Sequence, residues 1–443
     1  MKTRYGLYSA ISIVIANMIG TGIFTSLGFQ VMELNTGFTL LVLWLIGGIT
    51  ALIGAMCYAE LGSQMPRSGG EYHFLTKIYH PSIGFVSGWI SFIVGFAAPT
   101  AAAAMALGAY CTAALDIEYS LFFLDLKIII AILVILALTV LHARFKKAGA
   151  GFQNIMTSLK ILVLVIFIII GWRSTAQSSI EFAPNADSLK ELLSPHFAIA
   201  LFFVSFAYSG WNAAAYISSE VSNPSKNVPL SLIYGTLLVT LMYLGITWVF
   251  LKLIPIEMMY GKIEIGFLYG QRIFGADAGT LMGLLFAFLL FSTVSSLIIT
   301  GPRVTQVMGE DYPRIRWFSH ISKNDTPARA IYIQAIIAII YLLSSSFEQM
   351  ITYIGFSLNL MTMLTVLGMM IQRRRNRDVV ISSYRVRPYP LLPILFLLVS
   401  TWIMIYGLIY RPVESIGGLL TALLGYLVWT ILRGDSVQYP EES

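Results

Sequence analysis

Long apolar runs separated by short polar stretches set the pattern of this chain. They fall at about 7–32, 38–63, 81–115, 125–142, 152–172, 195–219, 229–251, 279–302, 328–346, 349–371, 389–410 and 413–432. A helix that crosses a bilayer needs about 20 predominantly apolar residues, so the pattern predicts twelve transmembrane helices. Barrel strands would instead show alternation over about 10 residues, which is absent. One transmembrane unit is expected over 1–432, with a first half at about 7–172, a second at about 195–371, two further helices at about 389–432, and a tail at 433–443. The first run follows Lys2 and Arg4 and has the length of a signal-peptide core. It lacks a small-x-small cleavage site and ends in Gly20-Thr21-Gly22, so it reads as a retained helix.

Composition agrees with that pattern. Hydrophobic residues make up 57% of the 443 and charged residues only 11%, against about a quarter charged in soluble domains. Mean hydropathy is +0.78. A soluble domain, a disordered tail and a disulfide scaffold are excluded, the last because there are only two cysteines. Cys57 and Cys111 lie in apolar runs and read as small buried residues. The net charge of +6 is better explained by cytoplasmic loops rich in Lys and Arg than by nucleic acid binding. With the N-terminus placed in the cytoplasm, 20 of the 28 Lys and Arg fall on that side and 7 on the other. An even number of spans then puts both termini in the cytoplasm of a cell membrane. Arg373–Arg377 reads as a stop-transfer cap, with anionic lipid binding as the other reading. One cation has no loop to occupy: Lys160, eight residues into the fifth run.

Two runs are interrupted at mid-span. The first contains Met18-Ile19-Gly20-Thr21-Gly22-Ile23, the sixth Phe206-Ala207-Tyr208-Ser209-Gly210-Trp211-Asn212. Taken singly, the glycines suit close helix packing. Taken together, interruptions at corresponding places in two five-helix halves point to a transporter built from inverted repeats, with its site at the midplane. Unwound backbone in hydrocarbon must line a polar cavity, because each unpaired group costs several kcal/mol. Freed N–H groups near Gly20–Ile23 suit a carboxylate. Freed carbonyls near Met18, Phe206 and Ser209 suit an ammonium. An amino acid zwitterion offers both charges.

The motifs carry a resemblance. Ile19-Gly20-Thr21-Gly22-Ile23-Phe24 is similar to I-G-S-G-I-F, with Thr in place of Ser. Cys57-Tyr58-Ala59-Glu60-Leu61-Gly62, followed by Pro66-Arg67-Ser68-Gly69-Gly70-Glu71-Tyr72, resembles C-Y-A-E-L-G and P-x-S-G-G-E-Y. Phe206–Asn212, then Ser219-Glu220-Val221 and Asn223-Pro224, with Asn227 and Pro229, is similar to F-A-Y-x-G-W-N, E-E-V-x-N-P and N-x-P, with the acidic pair reduced to Ser219-Glu220. The chain thereby resembles the amino acid–polyamine–organocation transporters, and within them the L-type amino acid transporter branch. The resemblance implies two inverted five-helix repeats plus two helices, working by alternating access. It implies that Thr21 and Gly22 bind the substrate carboxylate, and that the carbonyls of Met18, Phe206 and Ser209 bind the amine. Phe206 would close as a lid beside Ala207, and Asn212 would order the unwound segment or touch substrate.

The fifth run, Phe152-Gln153 through Thr157 to Lys160-Ile161, is similar to the branch's F-Q-x-x-x-T-x-x-K-L. The resemblance implies that the Lys160 ammonium replaces the sodium ion of related symporters. It would reach carbonyls of the first helix and a hydroxyl of the eighth, where Ser292, Ser295 and Ser296 are candidates. Snorkelling to the cytoplasmic interface is the competing reading. Cation-carrying relatives place an Asp where this chain has Ser209. No Arg sits at mid-span, and of the acids only Glu60 and Glu33 come near a span interior. Neutral L-amino acids are therefore the expected substrates, moved by sodium-independent exchange, with proton coupling as the alternative. Relatives that join a glycoprotein use a Cys between the third and fourth helices. Residues 116–126 hold none, so no disulfide-linked partner chain is expected. There is no His-Glu-x-x-His, metal-spaced Cys/His cluster or phosphate loop, so no cofactor, metal or enzymatic activity is expected. A sensor that binds without transporting remains a rival.

Overall fold

The computed structural model describes residues 5–117, 119–121, 124–144, 150–322, 326–375 and 384–433, without the side chains of 121, 150–153 and 276–278. Lys2, Arg4, Lys146, Lys147, Lys323, Arg377 and the tail 434–443, all used in the charge reading, lie outside the described residues, as do the side chains of Phe152 and Gln153.

The chain is a bundle of apolar helices. In order they are α1 (Leu7–Met18), α2 (Thr21–Thr25), α3 (Gly37–Gln64), α4 (Glu71–Ile78), α5 (Pro81–Ile90), α6 (Ala97–Leu115), α7 (Leu126–Arg144), α8 (Ala150–Arg173), α9 (Pro195–Tyr208), α10 (Ala213–Tyr216), α11 (Pro224–Leu253), α12 (Ala276–Thr300), α13 (Pro302–Asp311), α14 (Ala328–Ser344), α15 (Phe347–Arg375), α16 (Leu391–Tyr410) and α17 (Pro412–Leu432). A π-helical turn, Ser91–Phe96, joins α5 to α6. Prolines open α5, α9, α11, α13 and α17 in the first turn, where a missing N–H costs nothing. Side-chain oxygens of Thr36 and Ser194 cap α3 and α9.

Among the described residues, ten helices are long and apolar enough to cross a membrane, and a pair bent by 67°, Ala186–Leu192 with Pro195–Tyr208, raises this to eleven. The ninth run forms a helix of only 17 residues, α14, which stops at Ser344 before two further serines. The sixth run is short because its helix breaks after Tyr208. The result is an all-α, multi-pass membrane protein.

The core lies between α1, α3, α6, α9, α11 and α12. The α3–α11 and α6–α12 pairs have the most extensive packing, and α1 packs on α11 and α8. The last two helices are peripheral: 28% of each hydrophobic window is buried, against 78% for 81–115. Leu398, Ile405, Leu424 and Ile431 stand exposed on them, an arrangement that suits lipid rather than water.

Candidate functional site

Both interrupted runs are broken helices. After Met18, Ile19 (φ −73°, ψ 89°) and Gly20 (φ −137°, ψ −144°) leave helical geometry, and α2 resumes at Thr21. After Tyr208, Ser209 is extended (φ −55°, ψ 148°), Gly210 takes φ +95°, and α10 resumes at Ala213. The two broken helices run antiparallel, since α1 packs on α10 and α2 on α9. Their approach is closer than a side chain permits. A Cβ on Gly22 would lie 2.2 Å from the Ala207 Cα, and one on Gly210 would lie 2.8 Å from the Asn17 carbonyl carbon. The packing reading of these glycines and the broken-helix reading are thus both correct.

A cavity of about 120 Å3 lies between the breaks. That is several times the roughly 10–15 Å3 that one water needs. The first break contributes Met18, Gly20, Thr21 and Gly22 to its wall, and the second contributes Phe206, Ala207, Ser209 and Asn212. Ile23 is buried but does not line the cavity. The carbonyls are partly engaged. Met18 O accepts from the Tyr243 hydroxyl at 2.6 Å, and Phe206 O accepts from the Ser209 N–H at 2.9 Å. Each carbonyl has two lone pairs, so one remains for a ligand. The same hydroxyl shares its one proton with Ala207 O, at 3.1 Å, placing one phenol across both breaks. Nothing in the apolar run that holds Tyr243 marks it as the residue facing the breaks.

Lys160 is fully buried. Its Nζ donates to Ile19 O at 3.1 Å and to Thr293 Oγ1 at 2.9 Å. The ammonium therefore ties α8 to the break in the first helix and to α12, and does not snorkel. The hydroxyl it meets belongs to Thr293, not to Ser292, Ser295 or Ser296. Ser292 and Ser295 lie about 100° and about 200° round the helix from Thr293, while Ser296 shares its face one turn further on. Ser295 instead bonds His142 Nε2 at 2.8 Å. The Ser292 hydroxyl is buried without a hydrogen-bond partner among the described residues. Ser296 offers its carbonyl to Thr300 Oγ1 at 2.9 Å.

A carboxylate that the run pattern did not single out also reaches the cavity. Glu71 opens α4, outside any apolar run, after Gly69 (φ +115°) and Gly70 (φ +53°) turn the chain sharply inward. It is 1% exposed and lines the cavity. Tyr58 OH donates to Oε1 at 2.6 Å, Asn212 Nδ2 to Oε1 at 3.0 Å, and Ser87 Oγ to Oε2 at 3.5 Å. All three donors are neutral, so burial dominates and lifts the carboxyl to about 7. The two expected acids lie elsewhere. Glu60 accepts from Arg373 at 3.3 Å and from the Val386 N–H at 2.7 Å, while Glu33 pairs with His196. The signal for Glu71 was the Gly-Gly pair preceding it.

One end of the bundle is laced by polar contacts between segments distant in sequence. Tyr5 bonds Glu220 O at 2.8 Å and accepts from the Ser222 N–H at 2.9 Å. Arg67 pairs with the fully buried Asp311 at 2.7 Å, and the Tyr72 hydroxyl donates to the same carboxylate at 2.6 Å. Ser68 bonds Ser219 at 2.5 Å.

Residues 5–431 match the profile of the family described as amino acid permease. The chain is 28% identical over 415 residues to the b(0,+)-type amino acid transporter 1 of Mus musculus, covering 93% of this chain and 84% of that protein. It is 27% identical over 434 residues to the large neutral amino acids transporter small subunit 2 of Homo sapiens, covering 97% of this chain and 80% of that protein. A match that runs nearly from end to end, over a fold whose two broken helices share one cavity, shows that this chain belongs to the amino acid permease family, whose members are transporters rather than enzymes.

Proposed function

We propose that this protein is a sodium-independent secondary transporter of neutral L-amino acids, and an exchanger. Its substrate sits in the cavity between the two breaks. The first-turn N–H groups of Thr21 and Gly22 meet the carboxylate, while the free lone pairs of Met18, Phe206 and Ser209 carbonyls meet the ammonium. Phe206 closes over the substrate, and Ala207 holds α2 against α9. Twelve spans, two inverted five-helix repeats plus two helices, and both termini in the cytoplasm belong to the same reading. The antiparallel packing of the broken helices supports it, and the tie through Tyr5, Arg67 and Asp311 then closes the cytoplasmic side.

The observation that carries the reading is Lys160. A buried ammonium already donates to a carbonyl of the first break and to a hydroxyl of α12, so positive charge at that junction is built into the chain and no bound cation is needed to supply it. Substrate neutrality rests on Ser209, which offers a hydroxyl where a carboxylate would favour cations. The test is counterflow of labelled neutral L-amino acids in proteoliposomes. Uptake should be saturable, should need amino acid inside, and should be unchanged when potassium replaces sodium. Dependence on a sodium gradient would overturn the proposal.

A further inference from the structure

We propose that Glu71 is a proton-binding site linked to the amino acid site through Asn212, so that a proton and an amino acid antagonise each other's binding. This rests on the reading that the cavity between the breaks holds the substrate.

The geometry begins with the second break. Asn212 is the last residue before α10 and part of the cavity wall. Its amide is held by Glu71 Oε1 at 3.0 Å, and the same oxygen accepts from Tyr58 at 2.6 Å. A carboxylate can accept from both. A neutral carboxyl carries its proton on Oε2, where the Ser87 hydroxyl can accept it, and Oε1, now an uncharged carbonyl oxygen, accepts from Tyr58 and Asn212 more weakly. Protonation therefore loosens the hold on the Asn212 amide in the cavity wall. The anionic form also adds negative charge to a cavity in which the substrate's ammonium must be stabilised. The charge sets the sign: loss of the charge on Glu71 weakens amino acid binding.

The surroundings make Glu71 the group that titrates. The groups acting on its carboxylate are Tyr58 from α3, Asn212 from the break and Ser87 from α5, all neutral. Tyr216 of α10 also faces it. Helix α5 carries no titratable residue. From α15, Arg375 caps the Ile78 carbonyl at the far end of α4, at 2.7 Å. On α4 itself, burial lowers His73 to about 3, which keeps it neutral, and Lys77 is exposed. Arg67 is engaged by Asp311. Burial without a countercharge brings the Glu71 carboxyl to about 7, where cellular pH changes its occupancy.

Two measurements on the purified full-length protein test this, and they separate the proton site from the substrate reading. The first needs no amino acid. Infrared titration should show a protonated-carboxyl band that disappears as pH rises through neutrality, is absent in Glu71→Gln, and moves to higher pH in Tyr58→Phe, which removes a donor to the anion. A wild-type spectrum without such a band, or a band unchanged in Glu71→Gln, overturns the proposal. The second measures binding of L-leucine, L-alanine and L-serine at pH 6 and pH 8. Wild type should bind at least about fivefold more weakly at pH 6, whereas Glu71→Gln should bind weakly at both pH values, with less than a twofold difference. An equal pH dependence in the two proteins overturns the linkage. Absence of binding at every pH refutes the substrate reading and the linkage with it, and the infrared band still decides the proton site.

Discussion

Replacing Lys160 by Met keeps the length and most of the volume of the side chain and removes only the ammonium. Lys160 makes two charge-assisted hydrogen bonds, to Ile19 O and Thr293 Oγ1, each worth about 1.5–3 kcal/mol. Against this stands the desolvation of a fully buried ammonium, several kcal/mol. The two nearly cancel, so the thermal midpoint of Lys160→Met should move by only a few degrees. The local effect does not cancel. Ile19 O would keep only the longer contact from Thr293 Oγ1, at 3.4 Å, and the first break would lose its tie to α8. If that tie biases the break by about 2 kcal/mol, the population of the competent geometry falls roughly 30-fold. The assay is initial-rate counterflow in proteoliposomes, with the melting curve of the same preparation as the control for folding. A well-folded Lys160→Met variant that exchanges within about threefold of wild type would refute the reasoning.

Three further predictions follow from the geometry. Gly22→Ala forces a methyl to within 2.2 Å of the Ala207 Cα. Overpacking of this kind costs about 1–3 kcal/mol, so it should lower the thermal midpoint and abolish exchange, and a variant with wild-type melting and flux would contradict the close approach. Asp311→Ala leaves Arg67 and Tyr72 without their shared carboxylate. Removing one partner of a buried pair costs about 3–5 kcal/mol, here at the lower end because Arg67 is half-buried, and a melting curve equivalent to less than about 1 kcal/mol of change would show that this tie is not a seal. Ser209→Asp places a carboxylate in the cavity wall, so L-lysine or L-arginine should begin to compete with neutral amino acids for counterflow, and an unchanged competition profile would mean that Ser209 does not face the substrate's side chain.

Much of the molecule was legible in the order of its residues. Periodicity placed the apolar runs, because a bilayer demands about 20 apolar residues per crossing. The run lengths overstated two helices, at α9 and α14, because apolarity continues through a break or up to a serine-rich end. Glycines and small polar residues at mid-run mark both breaks, because an unwound segment in hydrocarbon needs conformational freedom and polar partners for its backbone. Lys160 drew notice because every other cation had a loop to occupy. What an apolar run cannot express is azimuth. Thr293 and not its serine neighbours meets the ammonium, Tyr243 bridges the two breaks, and Ile23 does not line the cavity, all matters of which face each helix presents to its neighbours and at what level. Nor can a linear pattern show a polar segment folding back inward: Gly69 and Gly70 carry Glu71 from a polar stretch outside the apolar runs to the wall of the cavity. Residue order alone sets the solvent, the helices and the places where they break. Only tertiary structure decided which side chains converge there, because convergence depends on helix rotation and packing distance, which no spacing along one chain contains.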